Sequence, residues 1–147
     1  MKALIIILIL AAFLQTTILP VDFVLLILIC RAYVRSEKEN LSLAFAFGLL
    51  TAHLSLISLG LYSIIYLVIV QAVQILSRSN LAGNPLLIVP ISMILLTLSE
   101  FINSVLTNTT MEFSGVIIAA LLSLPAFYLV KLWEERFIVR KEIKLRV

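Results

Sequence analysis

Apolar residues fill this chain in long runs, and only a few polar clusters interrupt them. From Ala3 to Cys30 the most polar members are Gln15 and Asp22. As a single helix that stretch is about 42 Å long at 1.5 Å per residue, well beyond the ~30 Å hydrocarbon core of a bilayer. Pro20 and Asp22 offer a break, which predicts a first span over 3–19 and a short second span over 21–34, turning around Leu19-Pro20-Val21-Asp22. One strongly tilted helix over the same stretch is the competing reading. It places Lys2 on the opposite side from the other basic residues.

Leu41 to Ser77 carries no charge, and both of its flanks, Arg31 to Lys38 and Arg78, are basic. Flanks on the same side require an even number of crossings. The turn therefore falls near Ser58-Leu59-Gly60, giving spans over 41–58 and 61–77 with almost no loop between them. A polar loop follows from Ser77, and Pro85 suits the first turn of a fifth span over 85–106. Asn108, Thr109, Thr110 and Glu112 make the next turn. A sixth span over 113–133 ends in Tyr128 and Trp133, which fit an interfacial aromatic belt.

Composition makes the bilayer the expected solvent. With 63% hydrophobic and 13% charged residues, a chain of 147 has too little polar surface to cover a globule in water. A β-barrel would alternate apolar and polar positions, whereas these runs are continuously apolar. The expected fold class is an all-α polytopic membrane protein, a compact bundle of about six helices over 1–133 followed by a basic tail over 134–147.

Charge then sets the orientation. With six crossings all 11 Lys and Arg residues lie on one side, which the positive-inside bias assigns to the cytoplasm together with both termini. The net charge of +3 resides in Lys131 to Val147, where six basic residues face three acidic ones. Such a tail suits anionic lipid headgroups at about 1 kcal/mol per basic residue, and no nucleic-acid partner is expected. The N-terminal run has no small-x-small cleavage site after Leu4 to Leu10, so it is expected to stay attached.

Candidate chemistry is sparse. Cys30 is the single cysteine, which excludes an internal disulfide and a CxxC metal set. No phosphate-cradling loop, zinc-protease helix or nucleophile elbow appears, so neither an enzyme nor a bound cofactor or metal is expected. Glu100 is the sharpest anomaly, because it falls inside the fifth span, where a central charge costs about 2.5–3.5 kcal/mol. It reads either as a partner or packing switch or as a protonated acid bonded to a neighbouring helix. Asn103 and Thr107 continue its helical face. His53 reads as a neutral interhelical hydrogen-bonding group, with Glu100 at similar depth, rather than a catalytic one. Asp22 completes the set of candidate intramembrane polar residues. Gln71 and Gln74 read as glue between helices. Two stripes of small residues, Ala44, Gly48 and Ala52 and then Gly115, Ala119 and Ser123, permit close helix packing within the bundle or against a partner.

The run Phe13-Leu-Gln-Thr-Thr-Ile-Leu-Pro20, followed by Asp22-Phe-Val-Leu-Leu-Ile-Leu, resembles the opening of the rod shape-determining protein MreD family. The segment Gly48 to Tyr62, with its Leu59-Gly60 turn, and the closing Leu124-Pro125 with a short basic tail are similar as well. Two features depart from the family pattern: Ala52 or His53 stands where an acid is usual, and the first loop is compressed into Pro20-Val21-Asp22. The resemblance implies a non-enzymatic scaffold in the bacterial cytoplasmic (inner) membrane. It would bind MreC and help couple MreB to the enzymes of wall synthesis. It also implies a fold similar to the S components of energy-coupling-factor vitamin transporters, which makes substrate binding the alternative function.

Overall fold

The computed structural model describes residues 2–18, 21–79 and 84–137. Among them the fold is entirely helical, with α1 Lys2–Thr17, α2 Phe23–Val34, α3 Lys38–Leu54, α4 Leu61–Arg78, a 3₁₀ turn Pro85–Leu87 leading into α5 Ile88–Thr107, and α6 Phe113–Phe137. Three stretches are long and apolar enough to cross a membrane, namely Leu61–Arg78, Pro85–Thr107 and Phe113–Arg136. The tail over 138–147, the residues Leu19 and Pro20 of the first expected turn and the centre of the loop after Arg78 lie outside the described residues.

Local chemistry sets the boundaries. Gly60 precedes α4 at φ +103°, a left-handed conformation that a side chain would strain. Asn108 ends α5 in the same region at φ +52°, and its N–H donates to the Ser104 carbonyl. Asn84 opens the fifth helix by accepting the Leu86 N–H at 3.1 Å, with Pro85 beside it at the start, where a missing donor costs nothing. The third helix stops at Leu54, four residues short of the expected span. Ser55 N–H bonds Thr51 O and Ile57 N–H bonds Ala52 O, so the chain leaves the helix in a closing turn and Leu56 takes φ +55°. A loop over 55–60 thus replaces the near-absent connection read from the sequence.

The stretch over 2–34 forms two helices side by side rather than one tilted rod. Gln15, near the end of α1, accepts the Val24 N–H at the start of α2 at 3.1 Å. Leu4 and Ile7, from the beginning of α1, line one groove with Leu26 and Ile27. The chain therefore reverses between the two.

Helix α2 is the axis of the bundle. It packs against each of the other five helices, and Val24, Leu25, Leu26, Leu28, Ile29, Cys30, Arg31, Ala32 and Tyr33 are all buried. Its 12 residues give about 18 Å of helix. Around it, α3 pairs with α4 and α5 with α6. Both small-residue stripes face inward, with Ala44, Gly48 and Ala52 buried on α3 and Gly115, Ala119 and Ser123 buried on α6. Gly48 marks a close crossing of α3 and α4, since a Cβ there would lie 2.5 Å from the Ser63 Cα.

The outside is apolar. Ile6, Leu10, Ile64, Ile75, Leu121 and Leu132 are exposed, and Ile94 and Leu129 reach 67% and 68%. Such a surface is better suited to hydrocarbon than to water.

Candidate functional site

The two ends of the bundle differ in charge. At one end the last turn of α2, the first of α3, the last of α4 and the end of α6 converge, bringing Arg31, Arg35, Lys38, Arg78, Lys131 and Arg136 together. Arg31 is only 2% exposed. Its Nη1 donates to Asn40 Oδ1 at 2.8 Å and its Nε to Glu134 Oε1 at 3.4 Å, while Glu37 and Glu39 stand 3.9 and 3.8 Å from its Nη2. Arg35 joins the cluster through Glu37 and Glu134. Asn40 Nδ2 donates to Arg35 O at 2.6 Å, and Gln74 Nε2 to Glu37 O at 2.7 Å. Arg78 donates to Ser36 Oγ at 3.1 Å, and the Tyr33 hydroxyl to Asn84 O at 3.2 Å. A buried guanidinium costs several kcal/mol to desolvate unless its N–H groups are matched. Here they are matched by Glu37 before α3, Glu39 and Asn40 on α3 and Glu134 on α6, so the cluster ties α2 to these elements.

At the opposite end a cavity of about 170 Å³ opens between α1, α2, α3, α4 and α5. Gln15, Thr16, Val21, Asp22, Thr51, Ser55, Tyr62 and Glu100 line it. The Tyr66 hydroxyl donates to Asp22 Oδ1 at 2.6 Å, a short bond of the kind made to an acid. Tyr66 is fully buried and meets the Tyr62 ring edge to face at 6.0 Å. Asn103 Nδ2 donates to the Tyr62 hydroxyl at 3.1 Å. Among the described residues two buried polar atoms lack a well-formed hydrogen bond: Thr51 Oγ1, which lies beside the Tyr66 phenol, and Asn103 Oδ1. Buried polar groups are nearly always paired, so these two single out this region.

The cavity holds oxygen acceptors and two acids, and among the described residues no Lys, Arg or His lines it. Among the described residues no three His, Cys, Asp or Glu side chains gather as a metal set. The arrangement is suited to holding a positively charged or hydrogen-bond-donating group.

Of the residues singled out from sequence, Asp22 and Glu100 meet in this cavity and Asn103 reaches it through Tyr62. His53 does not. It is exposed on the last turn of α3, and no hydrogen bond joins it to Glu100. Gln74 ties α4 to the loop before α3, whereas Gln71 is exposed. Sequence reading passed over Gln15, Thr51, Tyr62, Tyr66 and the Arg31 cluster. Tyr62 and Tyr66 carried a usable signal, one helical turn apart with hydroxyls inside an apolar run.

No protein-family model, curated protein or solved structure matches the chain.

Proposed function

We propose that this chain is a multi-pass protein of the bacterial inner membrane that serves as a non-enzymatic scaffold of the cell-elongation machinery. In this role it binds an MreC-like membrane protein and, through it, links MreB-type filaments to wall synthesis. The six helices weave across the bilayer with the basic end in the cytoplasm, where the tail beyond Phe137 meets anionic lipid. The apolar exterior and the gathering of basic residues at one end support that topology.

One observation carries the scaffold reading. Two of the elements in which the chain resembles the MreD family, the opening run that leads to Asp22 and the segment with the Leu59-Gly60 turn, are both associated with chain reversals at the end away from the basic residues. Asp22 immediately precedes α2 and Gly60 immediately precedes α4.

Affinity purification from native membranes tests it: co-purification of an MreC-like protein is expected. Its absence, with an intact bait, refutes the scaffold. Reporter fusions at both termini and near Arg78 are expected to report cytoplasm, and a periplasmic signal from any of them overturns the weave. The acid-lined cavity favours a second reading, a substrate-binding S component. A water-soluble vitamin that raises the melting temperature of the purified protein would decide for it.

A further inference from the structure

We infer that the groove between α1 and α6 is a site for one acyl chain of an anionic phospholipid of the cytoplasmic leaflet, with its headgroup held at the basic end; the inference rests on the membrane topology proposed above. Helices α1 and α6 each pack on α2, and the space between them is a groove of about 440 Å³. Leu4 and Ile7 of α1, Phe23 and Ile27 of α2 and Leu122 and Leu129 of α6 are among its walls. Spaces of this size hold whole organic ligands. Among the described residues every lining side chain is apolar except Glu134, which stands at the basic end beside Trp133. Ala126, the smallest of the lining side chains, leaves the groove open one turn beyond Leu122.

Length selects the occupant. From Leu122 to Glu134 the groove follows α6 for about 18 Å, close to the ~15 Å of one leaflet's hydrocarbon and short of the ~30 Å that a docked transmembrane helix would cover. On α1 the lining stops at Ile7, and nearer the other end Gln15 accepts the Val24 N–H at 3.1 Å and holds α1 against α2. Charge selects the headgroup. Glu134 is already matched, because Arg31 Nε and Arg35 Nη1 each stand 3.4 Å from its carboxylate. Arg136 follows Trp133 by three residues and Leu129 by seven, on the same face of α6, and Lys2 opens α1 two residues before Leu4; both basic side chains are exposed. Glu135 falls on the opposite face of α6, one turn after Lys131. A lipid phosphate over the groove therefore meets cations, and Trp133 stands where an indole bridges chain and headgroup.

Trp133 is the only tryptophan of the chain, so its fluorescence reports the groove directly. The full-length protein is reconstituted into vesicles of equimolar phosphatidylcholine and phosphatidylglycerol, in which either one lipid or the other carries bromine near the headgroup end of its chains. Brominated phosphatidylglycerol is expected to quench Trp133 with an apparent affinity about fivefold or more above that of brominated phosphatidylcholine. The double variant Lys2→Gln with Arg136→Gln and, separately, Ala126→Phe, which fills the groove, are each expected to abolish that preference while circular dichroism stays unchanged. Ala126→Phe leaves every basic residue in place, so its effect separates the groove from a general attraction of lipid to the tail. If Ala126→Phe does not fold, the double variant, which alters only exposed side chains, decides. Equal quenching by the two lipids shows an ordinary lipid annulus and overturns the inference, as does a preference that persists in either folded variant. No quenching by either lipid overturns the inference and the membrane topology with it.

Discussion

Replacing Gly48 by alanine tests the close approach of α3 and α4. A Cβ on residue 48 would stand 2.5 Å from the Cα and 2.8 Å from the N of Ser63, and 3.0 Å from the Tyr62 carbonyl oxygen. Ordinary carbon contacts lie at about 3.5–4.0 Å, so α3 and α4 must part by about 1 Å there. All three obstructing atoms are backbone, and none can rotate aside. Overpacking of this kind costs about 1–3 kcal/mol, and the upper part of the range applies when a whole helix must shift. The better helix propensity of alanine returns up to about 1 kcal/mol. The expected net loss is about 2 kcal/mol, near thirtyfold in the folding equilibrium. Unfolding in mixed micelles of rising SDS content, followed by far-ultraviolet circular dichroism, measures it. Because the clash is with backbone, adding Ser63→Gly should not restore stability. Wild-type stability in Gly48→Ala, or rescue by Ser63→Gly, would show that the helices do not meet here backbone to backbone.

Other perturbations probe the two polar ends. Arg31→Met strips Asn40 and Glu134 of their buried donor and should cost about 3–5 kcal/mol in the same SDS titration, with Glu134→Gln in the same chain recovering part of the loss; a loss below about 1 kcal/mol would mean the cluster is solvated. Tyr66→Phe removes the donor to Asp22 and should destabilise by about 1–3 kcal/mol, whereas Asp22→Asn, which keeps an acceptor, should cost less; the reverse order would contradict the assigned hydrogen bond. Glu100→Gln should leave folding and association largely intact and Glu100→Lys should disrupt them, read by size-exclusion chromatography. Equal loss with both would show that an ionised carboxylate is required. Cys30, fully buried on α2, should resist a maleimide in mild detergent and react in SDS, as followed by mass spectrometry.

The helix order was legible because Pro20, Gly60, Pro85 and the polar run at Asn108 interrupt the apolar segments with residues that have a local reason to stop a helix. Which apolar helix lies at the centre was not legible. Leu25 inside the bundle and Leu129 outside it are the same residue type, and hydropathy cannot distinguish a protein neighbour from a lipid one. Asp22 and Glu100 stood out as isolated charges in apolar surroundings, yet their meeting in one cavity depends on how the α1–α2 hairpin seats against α5. His53 stands apart from that cavity because α3 ends at Leu54 and leaves its side chain on a last, exposed turn. Arg31 was hidden for the opposite reason: a basic residue beside Arg35 and Lys38 reads as loop charge, and nothing local announces that Glu134, more than a hundred residues onward, closes over it.

A helix of 12 residues packed against five others has little outer surface of its own: nine of its residues are buried, and Phe23, Ile27 and Val34 are partly so. Bilayer thickness dictates how long an outer spanning segment must be, but it bears little on a helix in that position. Its sequence answers instead to the jigsaw rules of an aqueous protein interior. Exchanges such as Leu to Phe that pass unnoticed on the outer faces of α5 or α6 should be intolerable at Leu25, Leu28 or Ile29, and a deep mutational scan of this chain should trace α2 as a continuous band of intolerance.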